Sequence, residues 1–163
     1  MSVDYPVPMP PTARLEPITA DNVRAVFQLA VGPAQDRFVA PNPWSLAEAL
    51  AEAAIAWPRA IVAEHDGGAD EIVGFLMLEI DPAEESGRPF WLWRLMIGAD
   101  HQRRGYGAAA VRLAIDEVKR RGGTELYTSW VPDPEGPGAF YERLGFVLTG
   151  EVDNEEVVAR VVL

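Results

Sequence analysis

Gln102, Arg103, Arg104, Gly105 and Gly107 stand between the apolar run Leu95-Met96-Ile97 and the alanine-rich stretch Ala108-Ala109-Ala110. Strand, basic glycine turn and helix together make a device for gripping phosphate. Glycines lack Cβ atoms, so the backbone can turn sharply and bring its N–H groups close to an anion. The helix that starts there adds unpaired N–H groups and the positive end of its dipole. Arg103 and Arg104 add full charges suited to a pyrophosphate. This stretch is expected to hold a phosphorylated cofactor, beside which other segments shape a reaction.

Three other readings compete. Gly105-Tyr106-Gly107-Ala108-Ala109-Ala110 matches the dinucleotide pattern G-x-G-x-x-A, with the acidic Glu125 about 20 residues on. That fingerprint needs its acid at the end of a second parallel strand, whereas Glu125 begins one. The runs before the turn also look like antiparallel hairpins. No Gly-Lys-Ser/Thr follows, so the turn is not a P-loop. A glycine turn that merely connects strand to helix is the remaining alternative, and the adjacent glutamine and arginines weigh against it.

The elements that must position this turn are legible in order. Pro6, Pro8, Pro10 and Pro11 make residues 1–12 an extended arm. Ala13 to Ile18 reads as a strand. Thr19-Ala20-Asp21 offers N-caps for a helix through about Ala30. Phe38 to Trp44 reads as a proline-broken loop, and Ser45 with Glu48 as a capping box for a helix from Leu46 to Ala56, ended by Pro58. Ala60–Glu64 and Glu71–Ile80 form a hairpin. Asp81–Pro89 is an acidic loop, and Phe90–Ile97 is the strand before the glycine turn. Val111, Ala114, Ile115 and Val118 recur at helical spacing until Gly122-Gly123. Thr124–Val131 is a strand, Ala139–Leu144 a short helix, and Phe146–Glu151 and Val157–Leu163 the last strands. The order implies a mixed α/β, mostly antiparallel central sheet flanked by helices, in one domain over residues 1–163.

Composition narrows the function. The chain of 163 residues has no cysteine, which excludes disulfides, thiolate metal sites and cysteine nucleophiles. No hydrophobic run approaches the roughly 20 residues of a membrane span. The N-terminus lacks the pattern of a secretory signal, so cytoplasm is the expected address. The net charge of −11 argues against nonspecific nucleic-acid binding and is compatible with a cationic substrate.

Gln102-Arg103-Arg104-Gly105-Tyr106-Gly107 resembles the Q/R-x-x-G-x-G/A acyl-CoA signature of the GNAT N-acetyltransferase family. Downstream, Phe140-Tyr141-Glu142-Arg143-Leu144-Gly145-Phe146 resembles the family's F/L-Y-x-x-x-G-F segment. The match is closest from Phe90 to Leu163. Pro89 to Ile97, with Val39-Ala40-Pro41-Asn42 upstream, further resembles a branch described as spermine/spermidine acetyltransferase-like. The resemblance implies the GNAT acyl-CoA N-acyltransferase architecture and acetyl transfer from acetyl-CoA to a primary amine, with no metal. A polyamine or another small cationic amine is the expected acceptor. Acetylation of a protein N-terminus or lysine, and a catalytically weak acyl-CoA sensor, are the alternatives. The resemblance assigns the pyrophosphate to backbone N–H groups from Arg103 to Ala108, with the Gln102 side chain and both arginines at the rim. Leu95, Met96 and Ile97 would run beside the pantetheine arm, and the N–H of Met96 or Ile97 would serve the oxyanion.

Tyr141 matches the family's general-acid tyrosine. An amine with a solution pKa near 10.4 must also lose a proton before it attacks. Relatives often carry an acidic residue on the strand held here by Trp93 and Arg94, and this chain has none there. Glu79 is the candidate base in its place. Pro134 stands where relatives often have an asparagine, which leaves the neighbouring Asp133 open to another part. Trp44, Trp93, Glu84 and Glu85, with Trp91 and Asp81, are the candidate acceptor residues, since carboxylates and indoles suit a cation. Dimers are common among relatives, so a homodimer stays open.

Overall fold

Ala60–Ala63 and Val73–Leu78 are nearly unbroken apolar runs, the mark of strands buried on both faces. In the computed structural model, which describes residues 11–65, 67–85 and 87–163, they form the centres of β2 (Ala56–Ala63) and β3 (Glu71–Ile80). Expectations for residues 1–10 of the N-terminal arm lie outside the described residues. β1 (Ala13–Pro17), β4 (Phe90–Ile97), β5 (Glu125–Trp130), β6 (Val147–Asp153) and β7 (Glu156–Val162) complete one seven-stranded sheet in the order β1-β2-β3-β4-β5-β7-β6. Every neighbouring pair is antiparallel except β4–β5, which the helix α3 (Tyr106–Arg120) joins as a parallel crossover.

The sheet buries a different core on each face. Leu76, Leu78 and Leu92 pack with Ala110, Val111, Ala114 and Val118 of α3, and with Tyr141 of α4 (Gly138–Arg143). The alternate residues Phe75 and Met77 pack on the other face against Val26 of α1 (Val23–Gln28) and Ala49 of α2 (Asn42–Ala51). This alternation follows from the period of two along a strand.

The first two helices depart from expectation. Asn22, not Thr19 or Asp21, flanks the start of α1, and its Oδ1 accepts a hydrogen bond from the Thr19 N–H (2.8 Å). Ser45 is not an N-cap. α2 already starts at Asn42 with a proline in its first turn, where a missing N–H costs nothing. Asn42 is buried and donates from Nδ2 to the Val26 carbonyl (2.8 Å), tying α2 to α1, which a capping box at Ser45 would not do. Glu48 accordingly pairs with Arg94 instead of reaching back to a cap. α2 also ends before Ala56, so Pro58 terminates no helix. It stands inside β2 opposite Met77, beyond the last residue that β1 pairs, and its absent N–H disrupts no ladder there.

Candidate active site

β4 and β5 pair at one register position, Trp91 with Tyr127, with Thr128 Oγ1 donating to the Leu92 carbonyl (3.1 Å) just beyond. Past that point β5 turns to β7, where Trp130 pairs with Val157. The two strands part, and a cleft of roughly 1380 Å³ opens between them. A bulge helps. Met77 pairs with Arg94 but Leu78 with Leu92, so Trp93 is the extra residue and β4 is re-aimed where the cleft begins. Leu95, Met96 and Ile97 line the cleft along a backbone edge that β5 leaves unpaired. The side chains of Leu95 and Ile97 pack into the α3-side core, so core burial and an open backbone edge hold together.

The glycine turn closes one end. Gly105 precedes α3 at φ +88°, a left-handed conformation natural to glycine, and Arg103 stands at φ +59°. The α3 ladder starts with the Ala109 N–H on the Gly105 carbonyl (3.0 Å), which leaves the N–H groups of Tyr106, Gly107 and Ala108 outside it. Gly107 packs closely: a Cβ there would stand 3.3 Å from the Phe140 ring, which would have to give by a few tenths of an ångström. Gln102 lines the cleft beside the turn. Its Nε2 donates to the Ile97 carbonyl (2.9 Å) and to Gln35 Oε1 (2.7 Å), so it clamps the turn to the end of β4. Arg103 and Arg112 line the cleft, and Arg143 joins them from α4; Arg104 is exposed and outside the lining. Unpaired helix N–H groups, a left-handed glycine and guanidinium groups fit a diphosphate.

Tyr141 lines the cleft from α4, buried among Trp130 (rings stacked, 5.2 Å), Phe140 and Phe146. Burial pushes its phenol up to about 12, with the negative charge of Glu156 adding to the effect and the adjacent Thr128 side chain opposing it. The hydroxyl therefore keeps its proton across the physiological range.

The other end of the cleft is acidic and aromatic. Glu79 pairs with Trp91, Trp91 with Tyr127, and Ser129, two residues on, with Val158, so their side chains share the α1–α2 side of the sheet. Burial, then Asp81, Glu84 and Glu52, hold the Glu79 carboxyl above its ordinary value. Trp91, Trp93 and Glu79 all line the cleft, and so do Asp153 and Glu156. Sequence reasoning passed over these last two because they lie beside a hairpin turn with no motif around them. Arg94 also lines this region but is committed: its guanidinium bonds Glu48 (2.9 Å) and the Trp93 carbonyl (2.8 Å).

Not every expected acceptor residue is here. Trp44 is 63% exposed on α2, away from the cleft, and Glu84 and Glu85 lie in the loop after β3, outside the lining. Glu84 instead accepts the Arg88 N–H (3.1 Å). The segment between α1 and α2 supplies what sequence reasoning missed. Arg37 spans to Asp133 (3.1 Å) and Glu135 (2.7 Å) in the loop before α4, so the segment from Gln35 to Arg37 joins both banks. Asp133 has its other part there, beside Pro134. Among the described residues, no cluster of three or more His, Asp or Glu side chains is arranged for a metal, and no helix is long and apolar enough to cross a membrane.

The whole architecture has solved counterparts. A domain from Methanocaldococcus jannaschii superposes with a TM-score of 0.74 at 15% identity, over 94% of this chain and 99% of that one. A GNAT family acetyltransferase from Elizabethkingia anophelis, solved with acetyl-CoA bound, is similar with a TM-score of 0.61 at 15% identity, over 93% and 98%. The paia N-acetyltransferase from Thermoplasma acidophilum, in complex with coenzyme A, gives 0.66 at 13% identity, over 93% and 99%. Among curated proteins none matches. At such identities these structures speak for the fold. The sequence itself matches the family model described as "Acetyltransferase (GNAT) family" over residues 19–146. With that match across most of its length and the family's fold around a split β4–β5 pair, the chain belongs to the GNAT acetyltransferase family.

Proposed function

We propose that this acetyltransferase moves acetyl from acetyl-CoA to the primary amine of a small cationic acceptor, a polyamine being the foremost case. The observation that carries the reading is the division of the cleft. One end offers backbone N–H groups and arginines; the other offers Glu79, Glu156 and Asp153 with the indoles of Trp91 and Trp93. Phosphate belongs at the first and an ammonium at the second, through ion pairing and cation–π contact.

Acetyl-CoA supplies an acetyl thioester, and the chain's own residues do the rest. In this reading the N–H groups from Arg103 to Ala108 hold the pyrophosphate, with Arg103 and Arg112 beside them and Arg104 acting from the exposed rim. Gln102 keeps that turn against β4 through the Ile97 carbonyl. The backbone edge of Leu95–Ile97 binds the pantetheine amides as an added strand would, and the N–H of Met96 or Ile97 faces the developing oxyanion. Tyr141 gives a proton to the departing sulfur, a role open to it because burial keeps the phenol protonated. Glu79, whose raised pKa brings it nearer neutrality, is a candidate to take the amine's proton. Trp93 and Trp91 bound the acceptor. Trp44, Glu84 and Glu85 are left to the approach to the cleft, since none of them lines it. The domain assignment, one catalytic unit over residues 1–163, and a cytoplasmic setting go with this reading.

CoA release measured over a panel of polyamines, monoamines, aminoglycosides and peptides tests it. Release driven by polyamines and absent with peptides is the expected result. Release driven by peptides alone would move the acceptor to protein N-termini or lysines, and no release with any of them would favour an acyl-CoA-binding role.

A further inference from the structure

Of the carboxylates in the acceptor half of the cleft, Glu79 and Glu156 lie on opposite banks. Glu79 sits on β3, on the far side of β4 from the split. Glu156 opens β7, next to β5, on the same bank as Tyr141. Three strand spacings of about 4.8 Å, widened by the gap where β4 and β5 part, set β3 at least roughly 14 Å from β7 across the sheet. Glu156 is also held. Ser129 Oγ donates to its Oε2 at 2.5 Å, and among the described residues no partner occupies Oε1. Ser129 follows Thr128, whose side chain adjoins the Tyr141 hydroxyl, so the two consecutive β5 residues address opposite faces at one level. The Glu156 charge acts on the Tyr141 phenol, while Glu79 is not among the groups that do. Asp153, paired with Glu156 across the β6–β7 hairpin, lines the cleft beyond it.

We infer that Glu156, oriented by Ser129, is the residue that takes the proton from the attacking amine. This rests on the acetyl-transfer reading above and sharpens it. The acceptor arrives as an ammonium and first gives one proton to Glu156 Oε1, which passes it to solvent. The free nitrogen then forms its bond to the acetyl carbon, the carbon–sulfur bond breaks, the second nitrogen-bound proton passes to Glu156 Oε1, and the Tyr141 proton passes to sulfur. Solvent then returns the proton from Glu156 to the phenolate, so atoms and charge balance over the cycle. Base and acid thereby flank the split from its two faces. Ser129 is a positioning residue: its donated hydrogen bond holds one carboxylate oxygen and leaves the other toward the cleft. Glu79, farther off, is left with the acceptor's remaining positive charge.

The pH dependence of kcat distinguishes this from a structural role. Glu156→Gln is expected to lower kcat about 100-fold near pH 7.5, within the range for loss of a general base. The deficit should shrink as pH rises toward the amine's own pKa of about 10, where the acceptor arrives already deprotonated. Ser129→Ala should lower kcat with the KM for acetyl-CoA unchanged, since the carboxylate loses the donor that orients it. Glu79→Gln should act mainly on KM. Retention of acetyl-CoA-induced thermal stabilisation in each variant certifies the fold. Full activity of Glu156→Gln, or a deficit constant with pH, overturns the assignment while Tyr141→Phe still loses turnover. Full activity of Tyr141→Phe as well, or no amine turned over by the unmodified enzyme, overturns the acetyl-transfer reading and this inference with it.

Discussion

The two ends of the cleft are built in different ways. The phosphate-facing end comes from one continuous stretch, β4 through the first turn of α3, and works through backbone: unpaired N–H groups, an open strand edge and a left-handed glycine. The acceptor end is assembled from β3, β4, β5 and β7, and works through side chains: Glu79, Trp91, Trp93, Ser129 and Glu156. Backbone chemistry constrains few residue types, mainly the glycines, and constrains those strictly. Side-chain chemistry can be moved from one strand to another, provided the charge arrives at the same point. In the proposed function the donor is therefore recognised by a local pattern and the acceptor by a tertiary one.

The contrast can be broken from either side. The largest effect is expected at Tyr141, where both ends meet: Tyr141→Phe should reduce kcat at least about 100-fold, with acetyl-CoA binding nearly unchanged by thermal shift. Unchanged turnover would remove the phenol from the chemistry. At the donor end, Gln102→Ala deletes the bonds to Ile97 and Gln35 that hold the turn. An increase of about tenfold in the acetyl-CoA Kd, with kcat little altered, is expected by calorimetry, equivalent to about 1.4 kcal/mol. An unchanged Kd would mean that the turn holds itself.

The smallest effect sharpens the acceptor end. Glu79 has a folded-state pKa above its unfolded value, so the folded protein binds that proton more tightly. Stability is accordingly lost as pH rises from the unfolded value through the folded one, and the whole cost is present at pH 8. Glu79→Gln should then raise Tm by about 1–2 °C at pH 8, a modest gain because the group is only half-buried, and the gain should vanish near pH 4. A lower Tm at pH 8 would show that the carboxylate is better satisfied than its raised pKa implies.

What could be read from the sequence divides along the same line. The order of strands and helices, the glycine turn and the Tyr141 segment were all legible, because each is set by neighbours in the chain. The start of α2 was not. Ser45 and Glu48 make a sound local capping pattern, but burial of Asn42 against Val26 outweighs it. Pro58 was read as a helix stop because a proline is rarely found in a central strand, and only the short reach of β1 makes it harmless there. Gln102, read at the phosphate rim from its motif, lines the cleft, but its bonds to Ile97 and Gln35 are tertiary and the motif does not show them. The acceptor acids were sought in the loop after β3, where acidic residues cluster in sequence. The cleft recruits Glu156 and Asp153 instead, through a β5–β7 pairing between segments some thirty residues apart.

Everything proposed for the cleft depends on the glycine turn binding acetyl-CoA, and thermal unfolding with and without saturating acetyl-CoA reports on that directly. A ligand bound only by the folded state raises Tm with its concentration, by about 2.7 kcal/mol of added stability at one hundred times Kd. The unmodified protein is expected to show that shift. Gly107→Val puts branched carbon where a Cβ already lies within 3.3 Å of Phe140, at the N–H groups that would hold the diphosphate. It should unfold cooperatively with no acetyl-CoA-induced shift. A full shift in Gly107→Val, or none in the unmodified protein, would contradict the turn's role as the donor site.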